Sequence, residues 1–230
     1  MAKKHSKRYS ALIKGHDKNK ELALPEAIKL LKTKSNTKFT ESMEATFFLN
    51  IDKAKTDQNL RTVVDLPNGN GRKVKVAVIC GNDKLNEAKS SGAEISGSED
   101  LINEINSGKI NFDVLISTPD MMAKVGKLGK VLGPKGLMPN PKLGTVAKDI
   151  KSTVDAIKKG RIEIKCDKDG NLGLSIGKVK FSDKELFENF KSVYEIVSKE
   201  KPAGIKGNFI NSIYLSTTMG PSVKLQLSSI

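Results

Sequence analysis

The chain has 230 residues, enough for one large core or two small ones, and its 40 Lys and Arg against 26 Asp and Glu leave a net charge of +14. That balance points to a polyanionic partner more readily than to an acidic metabolite. No apolar stretch has the length of a signal peptide or a membrane span, so no membrane association is expected and the cytoplasm is the expected compartment.

Residues 1–20 hold seven Lys or Arg and read as a basic arm, solvated when free and ordered against phosphate. A helix opens at Leu24-Pro25-Glu26, carries Ala27, Ile28, Leu30 and Leu31 on one face, and ends near the polar run Lys34 to Lys38. From Glu44 to Ile51 the pattern alternates: Ala45, Phe47, Leu49 and Ile51 face one way, and Glu44, Thr46, Phe48 and Asn50 the other, which predicts a strand with one buried face. A second strand follows at Thr62 to Leu66, and Pro67-Asn68-Gly69-Asn70-Gly71 then breaks the chain.

Beyond that break the grammar changes. Val74 to Cys80 and Phe112 to Ser117 are nearly continuous apolar strands. Between them lie a helix from Asp83, a short extended piece at Ala93 to Ser96, and a helix from Glu99 to Gly108 capped by Ser98. Strands and helices alternating in this way predict a small parallel sheet covered by helices. Next comes Met121 to Gly144, where Gly126, Gly129, Gly133 and Gly136 alternate with lysines and Pro134, Pro139 and Pro141 punctuate the run. It reads as a basic loop pinned by Val125, Leu128, Val131, Leu132, Leu137 and Met138, whose lysines Lys127, Lys130 and Lys135 either hold phosphate or form a solvated face. A helix from about Lys148 to Lys159 ends at Gly160.

Alternation returns at Arg161 to Cys166. Asp167-Lys168-Asp169-Gly170 reads as a hairpin turn, with Leu172, Leu174 and Ile176 on the return strand. Ser182 and Glu185 form a capping box for a helix reaching Pro202, and strands at Asn211 to Thr217 and Val223 to Leu227 flank the turn Thr218-Met219-Gly220-Pro221. The fold class that follows is a discontinuous α+β domain with an antiparallel sheet, residues 1–68 and 160–230, and an inserted α/β domain with a small parallel sheet, residues 69–159. Pro67, Gly69, Gly71 and Gly160 are its natural hinge.

Catalysis finds little support. The only histidines, His5 and His16, sit in the basic arm, and the two cysteines, Cys80 and Cys166, lie in strand-like runs as buried thiols. No metal-ligand spacing is present, and Gly81-Asn82-Asp83-Lys84 lacks the glycines of a dinucleotide site. No cofactor is expected. A nucleotide-dependent enzyme acting on RNA through the inserted domain remains the rival reading.

RNA binding has two candidate places. In Lys38-Phe39-Thr40-Glu41-Ser42-Met43-Glu44, Phe39 can stack on a base or ribose, Lys38 can meet phosphate and Glu44 can accept from a 2′-hydroxyl; the alternative is that Phe39 caps the core and Glu44 faces solvent. In Thr217-Thr218-Met219-Gly220, Gly220 would admit RNA close to the backbone, Thr218 offers a hydroxyl and Met219 an apolar surface; the alternative is an ordinary turn.

The run GKLGKVLGPKGLMPNP, with DQNLR at 57–61, GRIEIKCDKDGN at 160–171, IGKVKF at 176–181 and STTMGP at 216–221, resembles the bacterial form of ribosomal large-subunit protein one, the family that builds the mobile stalk beside the tRNA exit site. The resemblance covers nearly the whole chain. It implies the same two-domain split, with a Rossmann-like inserted domain, and no enzymatic activity. It also implies a large-subunit ribosomal RNA stalk as partner, release of deacylated tRNA from the exit site, repression of the protein's own operon messenger, and a monomer off the ribosome. In that family the Thr-Met-Gly triplet and the Phe and Glu of the first segment line the RNA contact, which favours RNA at Lys38, Phe39, Thr40, Glu44, Thr217, Thr218, Met219 and Gly220. Phe48, Asn68 and Gly173 depart from the family pattern, and no RNA contact is carried onto Phe48 or Gly173.

Overall fold

The computed structural model describes residues 5–17, 20–51, 60–202, 204–205 and 207–229; residues 57–59 of the DQNLR motif and the remaining part of the basic arm lie outside them. The chain divides into two compact units, Met1–Gly71 with Ile162–Ile230, and Arg72–Arg161.

The first unit is built on a five-stranded sheet. Its strands are β1 (Glu21–Leu22), β2 (Ser42–Leu49), β8 (Asn171–Lys178), β9 (Ile210–Thr217) and β10 (Ser222–Leu225), in the order β1-β10-β9-β2-β8. All neighbours are antiparallel except β1 and β10. Alternation along β2 sends Met43, Ala45, Phe47 and Leu49 inward, where helices α2 (Leu24–Lys34) and α8 (Asp183–Lys199) cover them. Phe47 stacks on Phe190 with ring centroids 6.0 Å apart, and complete burial of such a side chain contributes roughly 1.5–3 kcal/mol. The capping box forms as expected: Ser182 accepts from the Glu185 N–H, and the Glu185 carboxylate accepts from the Ser182 N–H.

Three features of this unit differ from expectation. The basic arm is not simply solvated: Lys7–Ile13 forms a helix, α1, capped by Ser6. Asp167–Gly170 does close a turn, with the Gly170 N–H donating to the Asp167 carbonyl, but it does not join a hairpin. The strands on either side part company, β7 (Arg161–Lys165) pairing with β3 (Arg61–Asp65) in a separate two-stranded sheet while β8 pairs with β2. Local turn chemistry specifies the reversal, but the partner of each strand is set by the core.

Hinge residues are also bound more firmly than the glycines suggest. The fully buried Asn189 of α8 accepts from the Asn68 N–H at 3.0 Å and donates to the carbonyls of Gly69 and Ile176, both at 2.8 Å. A Cβ on Gly71 would meet Lys178 Cγ at 2.8 Å. Pro67, Gly69 and Gly71 therefore belong to the first unit, while Gly160, at φ 120°, ends a helix of the second. The division falls after Gly71 rather than residue 68, and after Arg161 rather than residue 159.

In the second unit β4 (Val76–Ile79) lies between β5 (Ile95–Gly97) and β6 (Val114–Ser117), all parallel. Helices α3 (Leu85–Ser90) and α4 (Glu99–Asn106) make the crossovers; Ser98 precedes α4 but makes no side-chain cap bond. Both faces are covered, which is why β4 reads as a continuous apolar run. Val76, Val78 and Cys80 pack with Ile150, Val154 and Ile157 of α7 (Ile150–Lys159), and burial pushes the Cys80 thiol pKa up. Ala77 and Ile79 pack on the other side.

There the glycine-lysine run is pinned, as its apolar residues imply, but its first half, up to Leu132, is helical, and only the part from Gly133 onward runs as turns and loop. A 3-10 turn at Pro119–Met121 leads through α5 (Met122–Val125) and a second turn at Gly126–Leu128 into α6 (Gly129–Leu132). Met121, Val125, Leu128 and Leu132 are buried at helical spacing, and Pro134 comes only after the last turn. Gly126, Gly129 and Gly133 take right-handed helical angles, with φ of −56°, −53° and −58°. Each helical glycine costs about 1 kcal/mol relative to alanine, which the buried stripe offsets.

Candidate nucleic-acid interface

The two segments singled out in the sequence meet at one end of the five-stranded sheet. Strand β2 starts at Ser42 and β9 ends at Thr217, with Met43 opposite Thr217 and Glu44 opposite Ser216. Beyond the ladder, the Thr218 N–H donates to the Ser42 carbonyl at 3.1 Å, and the Ser42 N–H donates to Thr218 Oγ1 at 3.0 Å. A turn 176 residues away along the chain is thus fastened to the start of β2 by a reciprocal pair.

The segment before β2 is held by its own side chains. Ser35 Oγ donates to Glu41 Oε2 at 2.7 Å, Thr37 Oγ1 donates to the Phe39 carbonyl at 2.9 Å, and the Val179 N–H donates to the Glu41 carbonyl. Glu41 is buried at 1% exposure, and its Oε1 has no partner among the described residues. Phe39 stands out to 54% exposure and Met219 to 48%. At that exposure Phe39 does not cap the core, which was the alternative read from the sequence.

The other predicted residues differ in exposure. Lys38, Glu44 and Thr218 are exposed, and Thr40 and Gly220 half-exposed. Thr217 does not belong to the exposed set: its side chain is buried at 3%, inward on β9, with Oγ1 unpartnered among the described residues. A Cβ on Gly220 would lie 2.2 Å from that Oγ1, so the glycine is required by Thr217 behind it, a different reason from room for RNA.

Two residues at this junction had no place in the sequence reading, and a third had been set aside. Lys178, opposite Ser42 on β8, donates from Nζ to Ser42 Oγ at 2.7 Å and adds a cation at the junction. Arg8 of α1 donates to the Met219 carbonyl at 2.8 Å and to Asn36 Oδ1 at 3.2 Å, bridging both segments. Phe48, set aside in the sequence, is exposed on the outer sheet face with its ring edge-on to Tyr214 at 5.5 Å, beside bare Gly173. Strand pairing brings in Lys178 and Phe48, and the position of α1 brings in Arg8.

Lys127, Lys130 and Lys135 belong to the second unit, exposed on or just after its helical run; neighbouring Lys124 is paired with Glu99. Among the described residues no cluster of His, Cys, Asp or Glu could hold a metal, and no helix is long and apolar enough to cross a membrane.

A family model described as "Ribosomal protein L1p/L10e family" matches residues 30–221. The chain is 50% identical over 228 residues to large ribosomal subunit protein uL1 of Thermosipho africanus, covering 99% of this chain and 98% of that one. It is 49% identical over 226 residues to the protein of that name from Fervidobacterium nodosum, covering 98% and 96%. A Prochlorococcus marinus protein with the same name is 49% identical over 205 residues, covering 89% and 87%.

Proposed function

The chain belongs to the ribosomal protein L1p/L10e family, and on that footing we propose that it grips a stalk of large-subunit ribosomal RNA through the end of its five-stranded sheet. It is a structural component of the large ribosomal subunit rather than an enzyme, working in the cytoplasm, and the rival of a nucleotide-dependent enzyme falls away. The observation that carries the RNA surface is the reciprocal Ser42–Thr218 pair, which brings Phe39 and Met219, both exposed, to one end of one sheet.

In this reading Lys38 and Lys178 meet phosphate, Phe39 and Met219 pack on ribose or base faces, and Glu44 and Thr218 address 2′-hydroxyls. Lys127, Lys130 and Lys135 give the second unit, a Rossmann-like domain, a separate phosphate contact. The stalk swings as deacylated tRNA leaves the exit site, and the chain crossings at residues 71–72 and 161–162 are where the protein would flex with it. The same surface serves for a messenger that mimics the ribosomal site, through which the protein represses its own operon.

The test is binding of purified protein to a ribosomal stalk hairpin and to a scrambled hairpin across a salt series, with Met219→Asp beside wild type. A charge at the centre of the contact should cost at least ~2 kcal/mol through desolvation and repulsion. Equal binding to both RNAs, unchanged by Met219→Asp, would mean that net charge alone does the binding.

A further inference from the structure

The helix α1 lies beside the turn at 218–220, and between them is an open concavity of about 630 Å³. One wall is Met219 and Thr218, and the other is Tyr9 and His5, whose rings sit 5.0 Å apart at 52°. Arg8 holds the two walls together, its guanidinium donating to the Met219 carbonyl. The volume lies within the roughly 300–1,000 Å³ of ligand pockets.

We propose that this concavity receives one unpaired nucleotide of the bound RNA, its base packed between the Tyr9 ring and Met219. The inference rests on the RNA reading of the 218–220 turn and extends it to a helix outside the matched residues 30–221. Two observations favour RNA as the occupant. The lining joins aromatic and thioether faces to a hydroxyl, the combination that grips a splayed-out base and its ribose. The charge is complementary too: neither the lining nor the α1 sequence KRYSALI contains an acidic residue, while Lys7 and Arg8 stand in the helix. With its guanidinium engaged by Asn36 and Met219, Arg8 is a positioning residue that fixes the distance between the walls.

The experiment uses the full chain and the stalk hairpin at constant ionic strength, with the scrambled hairpin as control. Loss of one ring–base stack in Tyr9→Ala should weaken binding by about fivefold or more, while Tyr9→Phe keeps wild-type affinity. The same hairpin carrying 4-thiouridine at its unpaired positions should crosslink to the tryptic peptide Tyr9–Lys14 in wild type and in Tyr9→Phe. That readout separates contact at the ring from mere loosening of the helix. Full affinity in Tyr9→Ala with no crosslink in that peptide, alongside loss of binding in Met219→Asp, overturns the nucleotide pocket and leaves the RNA surface standing. Binding that ignores both variants and the scrambling of the RNA overturns both.

Discussion

Gly220→Ala separates two explanations of one glycine. Its backbone is not left-handed, so alanine brings no torsional strain, and the whole effect comes from one contact. The new Cβ would sit 2.2 Å from Thr217 Oγ1, and ordinary contact begins at 3.4 Å, so the turn or the threonine has to give by about 1.2 Å. Thr217 is branched at Cβ and packed at 3% exposure, which makes that movement an overpacking cost of roughly 1–3 kcal/mol. All three tyrosines, Tyr9, Tyr194 and Tyr214, lie in the first unit, so tyrosine fluorescence in urea reports that unit's stability. Thr217→Ala takes away an oxygen that has no partner among the described residues, and leaves a Cβ 3.5 Å from the new methyl. Gly220→Ala should therefore lower the urea midpoint without RNA, and Thr217→Ala should restore most of it in the double variant. A Gly220→Ala protein as stable as wild type, losing only RNA affinity and not rescued by Thr217→Ala, would refute this account.

Asn189→Ala strips a buried site of three hydrogen bonds and leaves the Asn68 N–H and two carbonyls stranded, a loss of about 2–4 kcal/mol in the same urea assay; a loss below 1 kcal/mol would show that water replaces the amide. Bonds from the Ser182 N–H and hydroxyl hold the Glu185 carboxyl below the usual carboxylate range, so its contribution is complete above the unfolded value near 4.3 and fades as pH falls through the lower folded one. Glu185→Gln should therefore flatten the pH dependence of stability on the acid side of pH ~4.5, and an unchanged acid limb would count against the box as a titrating element. Gly177→Ala combines a φ of +155° with a Cβ 2.9 Å from both Leu186 Cδ2 and Phe181 Cδ2, and should cost about 1–3 kcal/mol; thermal melting that matches wild type would contradict it.

Most elements of the fold were legible because each has a local cause. Alternation marks β2, Ser182 with Glu185 marks α8, and an unbroken apolar run marks β4 between two helical layers. Misreadings occurred where local chemistry is ambiguous. Four glycines and three prolines between 126 and 141 look like a loop. The deciding signal was the helical spacing of Met121, Val125, Leu128 and Leu132, with every proline of that run after its end. Asp167 to Gly170 shows the opposite case, since its turn chemistry is sound and still says nothing about which sheet receives each flanking strand.

The proposed RNA surface divides along the same line. The chemistry of its residues is readable one at a time, and Phe39 and Met219 are as exposed as a contact role requires. Their adjacency depends on the pairing of β2 with β9, and their neighbours Lys178 and Arg8 arrive from β8 and from a short helix at the start of the chain. Pairing of β2 with β8 shifts register between Met43 and Glu44, where Met43 faces Gly177 and Glu44 faces Ser175. A glycine at the shift allows the backbone to take φ +155° against Leu186 and Phe181, and Lys178 then falls opposite Ser42, within 2.7 Å of its hydroxyl. The glycine in IGKVKF thus works as the pivot of a β-bulge, and it ties the placing of a cation at the proposed RNA surface to the packing of α8 beneath it.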